Sequence, residues 1–441
     1  MSSWVRPGRL RHATQGVRAR SSSRSLGSIY ALALLTLIGA LSYTDRQLLG
    51  LMLPLIKGDL RLTDTSLGLI TGLVFVLFYS ALGLPIARSA DRGNRRNILA
   101  AGLALWSLMT SLTGLAANLW QLAAARFLLG AGEAAGAAPS ISMAADSFEE
   151  RRRPLAMAVL STNSSLAALL GLPVLGLVAM AYGWRAAFAA AGAAGLLLTV
   201  VFVITVREPA RERGGAPADP GRGSTLDAAR FLAGSQAYVY MVCGGAIVGI
   251  SLYASQVWHP SFLARVHHLG IAQVGAAIGL PRGVAGLAGT LVGGVLADRL
   301  GRRSAFWRLA APGLACILAM PAELVFLLSP HLPTALAGML CYHLLLAMHF
   351  GPLYAACQSV ARPGMRCTAI AVFLLTANLT GQVLGPLSVG YLNDRWAATM
   401  GPEAIRYSLL LESVCVLMGG GLMLAAARRL ARDSERAAQP A

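Results

Sequence analysis

The chain has 441 residues, of which 56% are hydrophobic and only 13% charged, with a mean hydropathy of +0.61. So little polar surface cannot cover a water-soluble globule of this length, which makes a lipid bilayer the expected solvent. A net charge of +18 would suit nucleic acid only if basic residues were interleaved with aromatics on one face; the arginines instead crowd the gaps between apolar runs, so no nucleic-acid partner is expected.

Residues 1–27 are rich in Arg and Ser and hold no acid. That composition superficially matches a transit peptide, but a basic cytoplasmic tail explains the same arginines. Apolar stretches long enough to cross a bilayer then follow at 28–56, 65–88, 97–117, 119–145, 155–181, 184–206, 235–262, 271–297, 305–329, 333–360, 367–391 and 405–427. With the N-terminus inside, eighteen arginines fall in the inner gaps, and only Lys57, Arg61, Arg185, Arg265, Arg395 and Arg406 fall outside. Basic loops resist translocation, so both termini are expected on the cytoplasmic side.

Between Arg207 and Arg230 the chain turns polar and rich in Gly and Pro, which a bilayer would not tolerate. The predicted organisation is therefore a basic tail at 1–27, a six-helix bundle at 28–206, a linker at 207–234, a second bundle at 235–430 and a tail at 431–441. The expected fold is an all-α membrane protein of twelve transmembrane helices in two pseudo-symmetric six-helix bundles. Ala87 to Arg96, ARSADRGNRR, and Gly294 to Arg303, GVLADRLGRR, repeat one pattern in the two halves. Such a duplication argues for two similar bundles moving against each other. In these loops Asp91 and Asp298, beside Arg92, Arg95 and Arg96 and beside Arg299, Arg302 and Arg303, suit a salt-bridge latch made in one conformation and released in another. Positive-inside topology explains the arginines but not the repeated aspartate.

GAGEAAG at 130–136 has the spacing of a dinucleotide-binding loop, but no strand precedes it and it lies inside an apolar run. Small residues there read as helix packing in lipid. The six cysteines show no metal-like pairing. No metal, no cofactor and no enzymatic constellation are expected.

An ionisable group at membrane depth costs at least ~2.5–3.5 kcal/mol, so the few that remain are the best functional candidates. Asp45 and Arg46 lie in the first span, and Arg126 and Glu133 in the fourth. The last two share a helix face with Gly130 between them. Burial disfavours a carboxylate and a nearby guanidinium favours it, so an acid whose Arg contact changes between conformations takes up and releases a proton. Asp45 is the first candidate proton carrier and Glu133, tuned by Arg126, the second. The alternative is a static network that only orients helices. Arg282, in the eighth span, either faces the cavity to meet an anionic substrate, or snorkels or pairs with Glu323 or Glu412. Tyr43, Gln256, Trp258, His259, His343 and His349 are candidate cavity-lining residues, with satisfied burial the alternative for the polar ones.

Twelve spans, a duplicated loop and a central linker resemble the major facilitator superfamily. The loop at 294–303 fits that superfamily's signature; the loop at 87–96 departs at Ala87, Gly93 and Asn94. RFLLG at 126–130 resembles the fourth-helix Arg motif that the family links to proton coupling. The chain is most similar to the spinster-like branch, through YTDRQLLGLMLPLIKGDL at 43–60, RFLLGAGEAAGAAP at 126–139, WHPSFLAR at 258–265 and VLGPLSVGYLND at 383–394. The resemblance implies that Asp45 is protonated, that Arg46, Arg126 and Glu133 support it, and that Asp91 and Arg95 belong to an inner gate. Eukaryotic members move lysophospholipids and sphingosine phosphate.

The function expected is proton-coupled transport of an amphiphilic anion such as a lysophospholipid or sphingolipid-like molecule, by alternating access, in a monomer of a bacterial inner membrane. Its partners would be substrate, protons and membrane lipids. A small organic anion, aromatic or sugar acid, is the alternative substrate. A non-transporting sensor or scaffold is the alternative of another class.

Overall fold

The structure, a computed structural model, describes residues 10–149, 151–209, 230–362 and 365–438. Most of the 207–234 linker, the first nine residues and the last three lie outside the described residues, as does the side chain of Asp91. Every described element is helical. The first span is part of the helix Leu10–Leu60, which begins inside the segment the sequence assigns to the tail. The second runs through Asp64–Leu69, a π-helical turn at Ile70–Val74 and Phe75–Arg92; the third is Arg95–Thr113. The fourth breaks after Leu119–Glu133 and resumes as Ala137–Ser147.

Among the described residues eight continuous stretches are long and apolar enough to cross a membrane. Two of these, 155–205 and 368–438, each hold a pair of spans, and the third and broken fourth spans bring the total to the twelve expected. Local chemistry sets the ends. Ser235 accepts from the Tyr238 N–H to start the seventh span (Gln236–Val266), and Asn94 and Asn118 cap the third and fourth in the same way. Gly183, at φ 84°, supplies the left-handed residue that turns the fifth span into the sixth. The eighth to tenth spans are Ile271–Gly301, Trp307–Leu328 and Leu332–Ala347 continued by Phe350–Ser359. The eleventh is Arg366–Met400, and the twelfth, Leu410–Ala438, follows the short helix Ala404–Ser408.

The buried apolar side chains divide into three clusters. One, around Leu35, Trp106 and Phe202, is built almost wholly from the first half, and one, around Met241, Tyr342 and Met423, from the second. The third draws on both, packing Leu48, Leu51, Leu172 and Phe188 with Trp258, Phe262, Ile278 and Phe326. The bundles are thus fused at the end where spans 1 and 2, 5 and 6, and 7 and 8 connect, and keep separate cores at the other. Across the fused end span 2 packs on span 11, span 5 on span 8, and span 1 on span 7. The approach is backbone to backbone. A Cβ at Gly72 would overlap the Gln382 carbonyl oxygen, and one at Gly275 would lie 2.7 Å from the Leu172 oxygen.

Candidate functional site

Asp45 and Arg46 are neighbours on span 1, so their side chains leave the helix about 100° apart and find different partners. Asp45, 1% exposed, meets Thr110 of span 3, whose Oγ1 lies 3.0 Å from Asp45 Oδ2 and 3.0 Å from the Trp106 carbonyl oxygen. Asp45 Oδ1 has no hydrogen-bond partner among the described residues. Arg46 donates from Nε to Glu133 Oε2 at 2.6 Å, and its Nη2 lies 2.6 Å from the same oxygen. The rings of Phe75 and Tyr79, 4.9 and 4.8 Å away, and of Tyr43 at 5.6 Å box the guanidinium in.

Arg126 makes no ion pair among the described residues, though its charge acts on both Asp45 and Glu133. Its Nη1 reaches only the Asp45 carbonyl oxygen, at 3.5 Å; its Nε and Nη2 are buried without partners, and the Phe188 ring lies 5.6 Å away. Seven helical residues advance about 10 Å, too far for Arg126 and Glu133 to pair, so Glu133 takes its cation from span 1 instead. Gly130 between them does admit a neighbour: a Cβ there would stand 2.6 Å from the Phe75 carbonyl oxygen of span 2.

In the second half an apolar pocket is lined by Leu252, Tyr253, His349, Phe350, Tyr354 and Phe373, with Asn378 accepting from the Tyr253 hydroxyl at 2.8 Å. Tyr253 lies within electrostatic reach of Arg46, Tyr43 and Tyr79 across the interface. Of the lining candidates, His349 is therefore on the pocket, its Nδ1 against the Leu346 carbonyl, and Tyr43 is partly exposed. Trp258 and His259 are packed in the fused core: Trp258 donates to the Pro386 carbonyl at 2.9 Å, and His259 Nε2 lies 3.2 Å from Glu412 Oε2. The Gln256 carbonyl packs where Gly50 lacks a side chain. Arg282 pairs with neither Glu323 nor Glu412. It donates to His343 Nε2 and the Ser255 carbonyl, each at 3.0 Å, and to Gln47 Oε1 of span 1 at 3.4 Å, which ties the halves together.

A group that the sequence reading missed closes the fused end. Asp64, its side chain 2% exposed, receives Arg265 in a bidentate pair at 2.5 and 2.8 Å and Lys57 at 2.7 Å. Asp394 of span 11 accepts from the backbone N–H groups of Asp64 and Thr65 at 3.0 and 2.7 Å, and from the Thr65 hydroxyl at 2.6 Å. The available signal was scarcity: the outer gaps carry few charges, so Lys57, Asp64, Arg265 and Asp394 stand out.

At the other end Arg95 stays within its own half. It pairs with Asp146 and, at 2.7 Å, with Glu208, and donates to the Ser142 hydroxyl at 2.8 Å and the Pro209 carbonyl at 3.1 Å. The Arg96 backbone N–H donates to Glu208 at 2.8 Å. Arg92, Asp298, Arg299, Arg302 and Arg303 make no ion pair among the described residues.

Two six-helix bundles, fused at one end and holding ionisable groups at their interface, define a two-bundle membrane transporter. Residues 35–386 match the Major Facilitator Superfamily. A Mycolicibacterium smegmatis MFS-type efflux pump is 34% identical over 91% of this chain and 93% of its own. The Danio rerio sphingosine-1-phosphate transporter SPNS2 is 26% identical over 98% of this chain and 89% of its own. A bacterial homologue of the human lysosomal transporter Spinster, in an inward-facing and unoccupied conformation, superposes with a TM-score of 0.82 at 26% identity, covering 92% of this chain and 98% of the other. The chain belongs to the major facilitator superfamily and is an integral membrane transporter related to the spinster proteins, not an enzyme.

Proposed function

We propose that this protein is a proton-coupled secondary transporter of amphiphilic anions, working by alternating access in a bacterial inner membrane with both termini cytoplasmic and the fused end outward. The observation that carries the coupling is the shortage of protons at Asp45. The Thr110 hydroxyl has one hydrogen for two oxygens, Asp45 Oδ2 and the Trp106 carbonyl, and the carbonyl can only accept. A proton on Asp45 satisfies both contacts. It also removes a buried charge that no cation pairs at close range, since Arg126 reaches only the backbone.

Arg126, with two free nitrogens, and Arg46, released when Glu133 is protonated, suit an anionic head group. The aromatic side chains of Tyr253, Tyr354 and Phe373 give an apolar tail a surface to lie against. Sphingosine-1-phosphate, which the SPNS2 relative transports, has that two-part chemistry.

Purified protein in liposomes under an imposed pH gradient tests the reading, with lysophospholipids compared against small organic acids. Lysophospholipid accumulation is expected to follow the gradient and to be lost in Asp45→Asn while substrate binding persists. Accumulation by the variant equal to wild type refutes the coupling assignment, and accumulation of organic acids alone replaces the amphiphile with the second substrate class.

A further inference from the structure

Deep in the second half, away from Asp45 and Arg126, two carboxyl groups face each other with too few cations to balance them. Glu323 of span 9 and Glu412 of span 12 are each 0% exposed, as is His259 of span 7 between them. One ligand atom from each of the three lies within 4.8 Å of the others. His259 Nε2 is 3.2 Å from Glu412 Oε2 and 3.8 Å from Glu323 Oε1. Both oxygens of Glu323 and Oε1 of Glu412 are buried without a hydrogen-bond partner among the described residues.

The neighbours fix the proton count. Tyr342 of span 10 lies with its hydroxyl 3.5 Å from Glu412 Oε2 and 2.6 Å from the Ser251 hydroxyl, so it adds a donor but no charge. From span 12 itself Cys415 and Ser413 add none. Arg282 of span 8 donates only to the uncharged partners His343, Ser255 and Gln47, so its charge acts on Glu412 and balances one of the two carboxylates. That leaves His259. Its Nδ1 has no partner among the described residues, so an imidazolium would bury an unsatisfied N–H. The neutral ring with its hydrogen on Nε2, donating to Glu412, leaves only an acceptor unpaired. Two carboxylates at this separation in an apolar interior, walled by Phe326 and Phe262, then leave one charge beyond Arg282 uncompensated unless a proton sits between them. A divalent metal would balance the charge too, but by taking the Nε2 lone pair it would force the hydrogen onto the unpartnered Nδ1.

We propose that Glu323 and Glu412 share one proton, forming a second protonation site confined to the second half and separate from the cluster around Asp45. It goes beyond the transport reading above, because it can hold whether or not Asp45 couples transport. The protonated carboxyl C=O stretch in the infrared spectrum of the purified full chain in lipid reads it directly. Glu323→Gln and Glu412→Gln are each expected to remove one carboxyl equivalent, and the double variant no more than either single. Asp45→Asn is expected to leave this band in place, so the infrared result and the liposome result stand or fall separately.

Loss of two equivalents in the double variant, or of none in both singles, overturns the proposal. So does elemental analysis that finds one divalent metal per chain, lost on Glu323→Gln. If the Gln variants do not fold, Glu323→Asp keeps a carboxyl and is expected to shift the band; an unshifted band is equally fatal.

Discussion

Removing Arg265 should open the fused end. The Asp64 carboxylate that it grips is 2% exposed, whereas Arg265 itself is 20% exposed and Lys57 35%. An exposed ion pair contributes about 0–1 kcal/mol, and removing one partner of a buried pair costs about 3–5 kcal/mol. With a buried acid, a half-wet base and Lys57 still in place, Arg265→Ala should weaken the fused state by about 2 kcal/mol, roughly a 30-fold change in the ratio of the two states. A population sealed by roughly 20 to 1 would become slightly more open than sealed. Electron–electron distance measurements check this, with spin labels at Ala117→Cys and Ala398→Cys, exposed positions at this end in opposite halves, in a background lacking the six native cysteines. The variant should show a second, longer distance peak of at least comparable weight. If its distribution overlays that of the unsubstituted latch, Asp64–Arg265 does not hold the halves together.

The other seam should respond to bulk. Gly275→Val places side-chain atoms against the Leu172 carbonyl, and it should populate the longer distance in the same labelling experiment with the salt bridges intact. Arg95→Gln should destabilise the first half by about 3 kcal/mol, because it leaves Asp146 and Glu208 without their shared cation. A thermal-melt double-mutant cycle with Asp146→Asn checks it, and strict additivity of the two single effects would refute it. His267, in the loop between spans 7 and 8, is held below its ordinary value of 6.5 by burial first and then by Arg406. Folding therefore favours its neutral form, and stability should fall as pH drops below about 6.5, where the unfolded chain binds the proton more readily. His267→Gln should flatten the acid side of a plot of melting temperature against pH, and an unchanged slope would exclude this histidine as its source.

The spans were legible because about twenty residues of apolar helix are what a bilayer demands, whatever the tertiary contacts. Their ends were less so. Span 11 was expected to stop at 391 but runs to Met400, because, of the two residues polar enough to suggest a loop, Asp394 accepts from the opposite half and Asn393 is buried. The break after Glu133 gave no warning, since Ala134 to Gly136 carry no proline or polar cluster. Asp45, Arg46, Arg126 and Glu133 stood out because charge at membrane depth is costly, but their pairing depends on how spans 1 and 4 are rotated against each other, which no single-chain pattern encodes. The Asp64 latch escaped because charge at a helix end is not costly in itself, and only its scarcity in the outer gaps sets these residues apart.

The two seams at the fused end are related by the internal duplication. Advancing each helix number by six turns the pair of spans 2 and 11 into the pair 8 and 5, as the two identical patches of a symmetric dimer would be related. Both seams pack glycines against backbone, at Gly68 and Gly72 on one and at Gly275, Gly279 and Gly283 on the other, but only the first adds Asp64, Arg265 and Asp394. The first side is held by charge as well as dispersion, so ionic strength will loosen it; the second is held by dispersion between close backbones, which salt leaves alone. If the bundles rock against each other, this asymmetry would make one flank the door and the other the hinge.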